Sequence, residues 1–266
     1  MDRYNRIGEN NINRFGTNMI IVEYTDSMNI VVEFQDVFKM KKVTTYHKFK
    51  TGNVSNPYDR KVCGVGYIGQ GKYGSGTKYN KDNCYSVWSR MIVRCYDPYV
   101  INRDAGLSYK DCTVCEEWHN FQNFAKWYEE NYYEIPGEKM CLDKDLLVRG
   151  NNVYSPDTCV FIPERINILI KKQRCSKIGM LTGVYKSNRN KYAVRCSVSE
   201  GEKCISVRKF FGEYDTEGEA FLVYKKIKER EFKKIANHYK TNIPVNAYKS
   251  LYSFTVEYKI AERNNI

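Results

Sequence analysis

Two carboxylates and one amide near the middle of the chain could together hold a divalent cation. Asp143 and Asp145 lie in a predicted strand that begins at Met140, and Asn167 lies in a predicted short helix after Pro163. Hard cations such as Mg²⁺ prefer oxygen ligands. Asp143, Asp145 and Asn167 are therefore residues that could bind such a cation.

Zinc is a weaker expectation, although the chain has ten cysteines. Cys112 and Cys115 form the one CxxC pair, and a complete site would also need Cys95, Cys141 or Cys159, which stand singly in apolar segments. A structural zinc site usually has two such pairs. Because the polar N-terminus shows no export signal, we expect a reducing compartment in which cysteines pack as small hydrophobic residues. We therefore expect no zinc.

Six glycines lie between Gly64 and Gly76 and formally include the pattern GxGxxG. A phosphate-binding motif of that kind needs a buried strand before it and an amphipathic helix after it, whereas this run continues into the polar residues 77–83. We therefore predict a glycine-rich connector at residues 61–80.

The net charge of +12 is concentrated in one segment. Residues 1–170 have 22 Lys and Arg against 21 Asp and Glu, residues 171–249 have 19 against 8, and residues 250–266 have 2 against 2. Such asymmetry is typical of a module that displaces counterions from a polyphosphate. A solvated basic surface without a partner is the alternative.

Hydrophobic periodicity predicts the elements of the N-terminal part. Alternating runs at residues 20–24 and 30–34 predict strands of a small β module at residues 1–60. Two helical stripes follow: Tyr85, Trp88, Met91, Ile92 and Cys95, then Trp118, Phe121, Ala125 and Tyr128. Aromatic residues at this spacing usually pack in a core, so we predict a packing role for the tryptophans.

The C-terminal segment is predicted to form three strands and one helix. Strand patterns occur at residues 183–186, 191–198 and 203–211, and Thr216 with Glu219 predicts a capping box at the start of the helix. In the middle strand, the side chains that should meet this helix are Tyr192, Val194, Cys196 and Val198. The sheet face away from the helix, here called the open face, presents Lys191, Ala193, Arg195 and Ser197.

We predict that the open face grips duplex DNA. Arg195 is joined there by Arg208 from the neighbouring strand and by Lys186 or Arg189 from the first turn. A small twisted sheet can lie in the major groove, where Arg reads guanine and Lys neutralises phosphates. The full set of predicted DNA-binding residues is Tyr185, Lys186, Arg189, Lys191, Arg195, Arg208 and Lys209.

Residues 80–170 resemble the phage and homing-endonuclease branch of the HNH nuclease superfamily. The motifs of this resemblance are Ser86-Val87-Trp88 with Met91 and Arg94-Cys95-Tyr96, Val114-Cys115-Glu116-Glu117-Trp118 with Phe121 and Phe124, Leu142-Asp143-Lys144-Asp145, Tyr154-Ser155-Pro156-Asp157-Thr158-Cys159, and Ile166-Asn167. The resemblance implies a ββα unit with a His general base and a bound metal. Asp143 and Asn167 match the metal positions, whereas Lys144 stands in the place of the base and Thr158 in the place of the Asn that orients it.

The missing base favours an inactive nuclease unit. A lysine is protonated at neutral pH, so Lys144 cannot readily accept a proton from water, although it could donate to a phosphate oxygen. None of the three histidines, His47, His119 and His238, lies in the ββα segment. We therefore expect a degenerate site that requires no cofactor. Cleavage with Mg²⁺ at Asp143, Asp145 and Asn167 is the alternative.

Residues 178–240 resemble the DNA-binding domain of plant Apetala/ethylene-response factors and its counterpart in phage homing endonucleases. The matching residues are Gly183-Val184-Tyr185, Lys191-Tyr192-Ala193, Phe211-Gly212-Glu213-Tyr214-Asp215-Thr216, Glu219-Ala220 and Tyr224. The resemblance implies a sheet that reads the major groove, with Arg195 and Arg208 at DNA-facing positions. This segment departs from the plant pattern by having no Trp.

We therefore predict an α+β protein with four parts. They are a small β module (1–60), the glycine-rich connector (61–80), a degenerate HNH-like ββα domain with preceding helices (81–174), and a basic three-stranded antiparallel sheet packed on one helix (175–266). The predicted function is sequence- or structure-selective binding of double-stranded DNA, of phage type. The alternatives are an active endonuclease and a phage counter-defence protein that engages a host nucleoprotein complex. Because no apolar stretch is long enough for a membrane span, we expect a cytoplasmic protein without a membrane partner.

Overall fold

The computed structural model shows a mixed α+β protein, as predicted. The residues that it describes are 6–74, 84–102, 109, 111–171, 180–201 and 204–258. The chain divides into two compact units. Unit 1 is Met1–Glu130 with Asn152–Pro156, and unit 2 is Asn131–Asn151 with Asp157–Ile266.

The elements follow one another as a β-rich segment, a helical segment and a second β-rich segment with two closing helices. The strands are β1 (Asn10–Ile12), β2 (Asn18–Asp26), β3 (Asn29–Phe34), β4 (Lys41–Thr44), β5 (Thr113–Val114), β6 (Met140–Asp143), β7 (Val153–Tyr154), β8 (Val160–Pro163), β9 (Val184–Lys186), β10 (Tyr192–Glu200) and β11 (Ile205–Tyr214). The helices are α1 (Tyr46–Lys50), α2 (Cys84–Tyr96), α3 (Pro98–Ile101), α4 (Phe121–Asn131), α5 (Glu164–Lys171), α6 (Glu217–His238) and α7 (Val245–Tyr252), and a 3-10 helix spans Glu116–His119.

Unit 1 begins with a four-stranded antiparallel meander in the spatial order β1-β2-β3-β4. Alternation along β2 and β3 places one side chain in two on a buried face, because strand side chains have a period of two. That face comprises Met19, Ile21, Ile30, Val32 and Phe34. Helix α1 has Thr45 as its N-cap and packs Phe49 into the same cluster. The strands predicted at residues 20–24 and 30–34 are confirmed.

The helical part of unit 1 also follows its predicted apolar stripes. The buried residues of α2 are Trp88, Met91, Ile92 and Cys95. The second stripe is divided, because Trp118 lies in the 3-10 helix and α4 begins only at Phe121. The Asn120 side chain marks this start, since its Oδ1 accepts a hydrogen bond from the Gln122 N–H at 3.0 Å.

The glycine-rich segment packs tightly inside unit 1. The Tyr67 carbonyl accepts a hydrogen bond from the Phe121 N–H at 2.9 Å. Gln122 Nε2 donates to the Tyr73 carbonyl at 2.8 Å, and a Cβ at Gly71 would overlap the Gln122 side chain. We predicted residues 61–74 as part of a connector, but they pack against other segments of unit 1. Glycine is needed at Gly71 because the backbone there passes close to the Gln122 side chain.

Unit 2 contains the predicted ββα arrangement. Strands β6 and β8 pair antiparallel with Leu142 opposite Phe161, and α5 packs on both strands. The C-terminal sheet has the antiparallel order β11-β10-β9 and packs on α6. The predicted capping box is confirmed: Thr216 Oγ1 accepts from the Glu219 N–H at 3.3 Å, and the Glu219 carboxylate accepts from the Thr216 N–H at 3.2 Å.

A hydrophobic core extends from the ββα arrangement to the C-terminal sheet and its helix. Ile162 of β8 and Ile166 of α5 belong to the same buried cluster as Val194 of β10 and Phe232 of α6. The domain border that we predicted between residues 174 and 175 therefore runs through a shared core.

The described cysteines are all free thiols. Those that are buried are Cys95, Cys112, Cys159, Cys196 and Cys204. None of the helices within the described ranges combines the length and the apolar character that a bilayer crossing requires.

Candidate nucleic-acid interface

The strand register of the C-terminal sheet decides which side chains reach the open face. Val184 pairs with Val194, and both are buried in the core beside α6. The neighbouring pair, Tyr185 with Ala193, therefore lies on the open face, since directly opposed residues share a face and successive residues alternate. Ala193 itself is fully buried there. Arg195 follows at the next alternate position, and its side chain is exposed.

Arg195 lies between two aromatic rings of the open face. Its Cζ is 5.9 Å from the ring centroid of Tyr185 on β9 and 5.9 Å from that of Phe210 on β11. Phe210 is directly opposite Arg195 and is 53% exposed. A guanidinium within about 6 Å of a ring centroid is attracted by the ring, by about 0.5–1 kcal/mol at an exposed site. The two rings thus restrict the planar guanidinium group of Arg195 in the middle of the sheet.

Arg208 extends the positive charge along the same face. It is exposed and pairs with Ser197, two positions beyond Arg195 on β10. Within the described parts of the chain, neither Arg195 nor Arg208 forms an ion pair with a carboxylate. Both guanidinium groups therefore keep donors that can reach phosphate or base acceptors.

A β-bulge in β11 sets the face of the residues around Arg208. Between the pairs Ala193 with Glu213 and Arg195 with Phe210, β11 contains one residue more than β10. Gly212 lies in this bulge with a φ of +113°, a backbone conformation that residues other than glycine rarely adopt. Phe210 is absent from the predicted set, because the strand pattern does not show the bulge that places this residue opposite Arg195.

Two predicted residues do not lie on the open face. Lys186 pairs with Tyr192, and Lys209 pairs with Cys196, so both belong to the side of the sheet that faces α6. The prediction that Lys186 joins the open face is corrected, because Lys186 follows Tyr185 in an alternating strand. Lys209 also lies on the side that faces α6, because it follows Arg208, which lies on the open face, in an alternating strand. Lys186 Nζ instead donates to Asn190 Oδ1 at 3.1 Å.

The remaining basic residues lie at the edge of the open face and are paired with acids. Arg189 Nη1 is 3.8 Å from Glu213 Oε2, and Lys191 Nζ is 3.0 Å from Asp215 Oδ1. Exposed ion pairs of this kind contribute only about 0–1 kcal/mol. A phosphate oxygen could therefore replace either carboxylate at little cost.

Asp143 and Lys144, two residues of the predicted nuclease site, form hydrogen bonds that hold the loop after β6. The buried Asp143 carboxylate accepts hydrogen bonds from the N–H groups of Asp145 at 3.0 Å and Leu146 at 2.8 Å. Lys144 is 5% exposed, and its Nζ donates to Asp145 Oδ1 at 2.6 Å and to the Asn151 carbonyl at 2.7 Å. The Lys144 ammonium, at the position that the resemblance assigns to the general base, thus links the two ends of the segment 144–151.

The other two residues of the predicted nuclease site are placed around β6 and β8. Thr158 is half-buried in the turn before β8. Asn167 Nδ2 donates to Cys141 Sγ at 3.2 Å, and Asn167 Oδ1 is buried without a hydrogen bond from any described residue. That oxygen and the carboxylates of Asp143 and Asp145 are the groups that could hold Mg²⁺. In the described part of the chain, no three His, Cys, Asp or Glu residues are grouped as metal ligands.

Comparisons with family models, with curated proteins and with solved structures gave no significant match. The resemblances to HNH nucleases and to Apetala/ethylene-response factors therefore stay predictions.

Proposed function

We propose that the protein binds double-stranded DNA through the open face of its C-terminal sheet. The observation that supports this most strongly is Arg195, an exposed guanidinium that lies between the rings of Tyr185 and Phe210 and has no carboxylate partner among the described residues. A restrained arginine loses less side-chain entropy when it binds. Arginine is also the side chain that most often reads guanine, through two parallel hydrogen bonds in the major groove.

The two arginines and the edge residues would have different tasks. In this proposal Arg195, in the middle strand, donates to base acceptors at the floor of the groove. Arg208, Arg189 and Lys191 contact the phosphates on either side, and these contacts position the sheet without reading sequence. The excess of 19 basic over 8 acidic residues in 171–249 attracts the polyanion, and the phosphate contacts make the affinity depend on salt.

In this proposal the ββα arrangement supports the sheet. Its strand β8 and helix α5 share the core of unit 2, while Asp143 and Lys144 hold its loop. No cofactor is required for binding.

Metal-dependent DNA cleavage is a second candidate, and one observation favours it. Asn167 Oδ1, at a position that the HNH resemblance assigns to the metal, is a buried acceptor without a described donor. A buried oxygen of this kind is compatible with a bound cation. Against cleavage, the Lys144 ammonium is engaged in two hydrogen bonds and cannot act as a base.

The binding proposal is tested by fluorescence anisotropy with the full-length chain and labelled duplexes. The variant Arg195→Ala/Arg208→Ala should bind about tenfold more weakly or worse, because the loss of the Arg195 contact to a base costs about 1–3 kcal/mol and the loss of the Arg208 contact to a phosphate adds to it. The matched control is Lys226→Ala/Arg230→Ala, which removes the same charge from exposed positions of α6. Equal affinities of the two double variants would rule out the open face as the binding site.

A further inference from the structure

A second positively charged site lies in unit 1. It is a concave pocket of about 340 Å³, and residues that line it include Lys42, Ser55, Lys61, Tyr67 and Tyr85. We call it the Lys42–Lys61 pocket. Its volume lies within the range of about 300–1,000 Å³ that is usual for small-molecule sites.

Two ammonium groups converge on one serine at this pocket. Lys42 Nζ donates to the Ser55 carbonyl at 2.8 Å, and Lys61 Nζ donates to Ser55 Oγ at 2.6 Å. In the ranges that the structure describes, neither ammonium forms an ion pair with a carboxylate. Because an ammonium has three donors, each lysine keeps donors for a ligand.

The acid near these lysines is already occupied by other donors. Asp59 is buried, and its carboxylate accepts hydrogen bonds from Asn13 Nδ2 at 3.0 and 3.1 Å, from Thr17 Oγ1 at 2.8 Å and from the Asn56 N–H at 3.1 Å. Burial lowers the pKa of Lys42, and the positive charges of Lys61 and Lys48 lower it further, although Asp59 raises it. The pocket thus has positive charges that repel each other and would be relieved by an anion.

Aromatic side chains form rigid walls beside the lysines. Tyr67 contacts Tyr58, with ring centroids 5.9 Å apart, and Tyr85 contacts Trp88 with centroids 5.6 Å apart. The backbone between these walls is also fixed, because a Cβ at Gly66 would lie 2.9 Å from the Trp88 ring. A flat ring can therefore find an apolar surface close to the two ammonium groups.

We propose that the Lys42–Lys61 pocket binds a small phosphorylated molecule with an aromatic ring, of the mononucleotide class. Lys42 and Lys61 donate to the phosphate oxygens, and Tyr67 and Tyr85 provide the surface for the base. This site is separate from the proposed DNA-binding function, since its lining residues all belong to unit 1 and the open face belongs to unit 2.

The test is isothermal titration of the full-length protein with AMP, GMP, CMP and UMP, and with the matching nucleosides. We expect at least one nucleotide to bind, and its nucleoside to bind about tenfold more weakly or worse, because charge-assisted hydrogen bonds to phosphate are lost. Lys42→Gln and Lys61→Gln should each weaken nucleotide binding about tenfold. The matched control, Lys41→Gln, removes the same charge from the exposed neighbouring position of β4 and should bind like the parent.

The proposal would be overturned by no binding of any nucleotide, by equal binding of nucleosides, or by equal affinities of the Lys41, Lys42 and Lys61 variants. Thermal unfolding of each variant checks that the variant is folded. Because Lys61 is exposed, its replacement should leave the fold intact. Displacement of the nucleotide by duplex DNA would also contradict it, since the pocket would then belong to a nucleic-acid site.

Discussion

Replacing Lys144 by methionine should destabilise unit 2, because Lys144 is a structural residue. Methionine keeps the apolar stem of this 5% exposed side chain but removes the bonds from Nζ to Asp145 Oδ1 and to the Asn151 carbonyl. A hydrogen bond to a charged group contributes about 1.5–3 kcal/mol. The Asp145 side chain is 38% exposed and would bind water in the variant, so the loss of its hydrogen bond contributes less to the free energy than the loss of the bond to the Asn151 carbonyl. The expected loss in the free energy of unfolding is about 2 kcal/mol.

Urea unfolding of the parent and the variant measures this loss, and Lys139→Met is its matched control. Lys139 Nζ is 2.7 Å from Glu164 Oε1, but the two side chains are 59% and 46% exposed. An exposed pair contributes little, so this control should lie within about 0.5 kcal/mol of the parent. Equal unfolding free energies for Lys144→Met and Lys139→Met would refute the structural role of Lys144.

Three further predictions concern the fold and the nuclease alternative. Gly183→Ala should cost about 2–4 kcal/mol, because Gly183 has a φ of +78° and a Cβ there would overlap the Tyr224 ring; an unchanged thermal midpoint would contradict this. A fragment of residues 175–266 should not unfold cooperatively in circular-dichroism melts, whereas 131–266 should, and equal melts would show that the core is not shared. With Mg²⁺ or Mn²⁺, the parent and Asp143→Asn should cleave plasmid DNA equally, at background level; cleavage that Asp143→Asn abolishes would make the protein a nuclease.

Local patterns predicted the elements of this fold well, because they depend on residues close in sequence. The capping box of Thr216 and Glu219 requires only one turn of helix. Alternation along β10 correctly predicted the buried Val194 and Cys196 and the exposed Arg195, but not the burial of Ala193, which was predicted on the open face.

Features that depend on distant segments could not be predicted. The bulge at Gly212 changes the alternation in β11, and it places Phe210 beside Arg195. Lys42 and Lys61 lie in different elements, and only folding brings both onto Ser55. The core shared by β8, α5 and the C-terminal sheet likewise follows from tertiary packing. Neither strand periodicity nor the distribution of charge indicates which elements pack together.

The most direct test of the DNA-binding proposal is the salt dependence of duplex binding by the full-length protein. The logarithm of the association constant should fall linearly with the logarithm of the salt concentration, with a slope of about −0.9 for each phosphate contact. Arg208→Ala should reduce the magnitude of that slope by about 1, whereas Arg230→Ala should leave it unchanged. No measurable binding of duplex DNA at low salt, or the same slope for Arg208→Ala as for the parent, would contradict the proposed phosphate contacts of the open face.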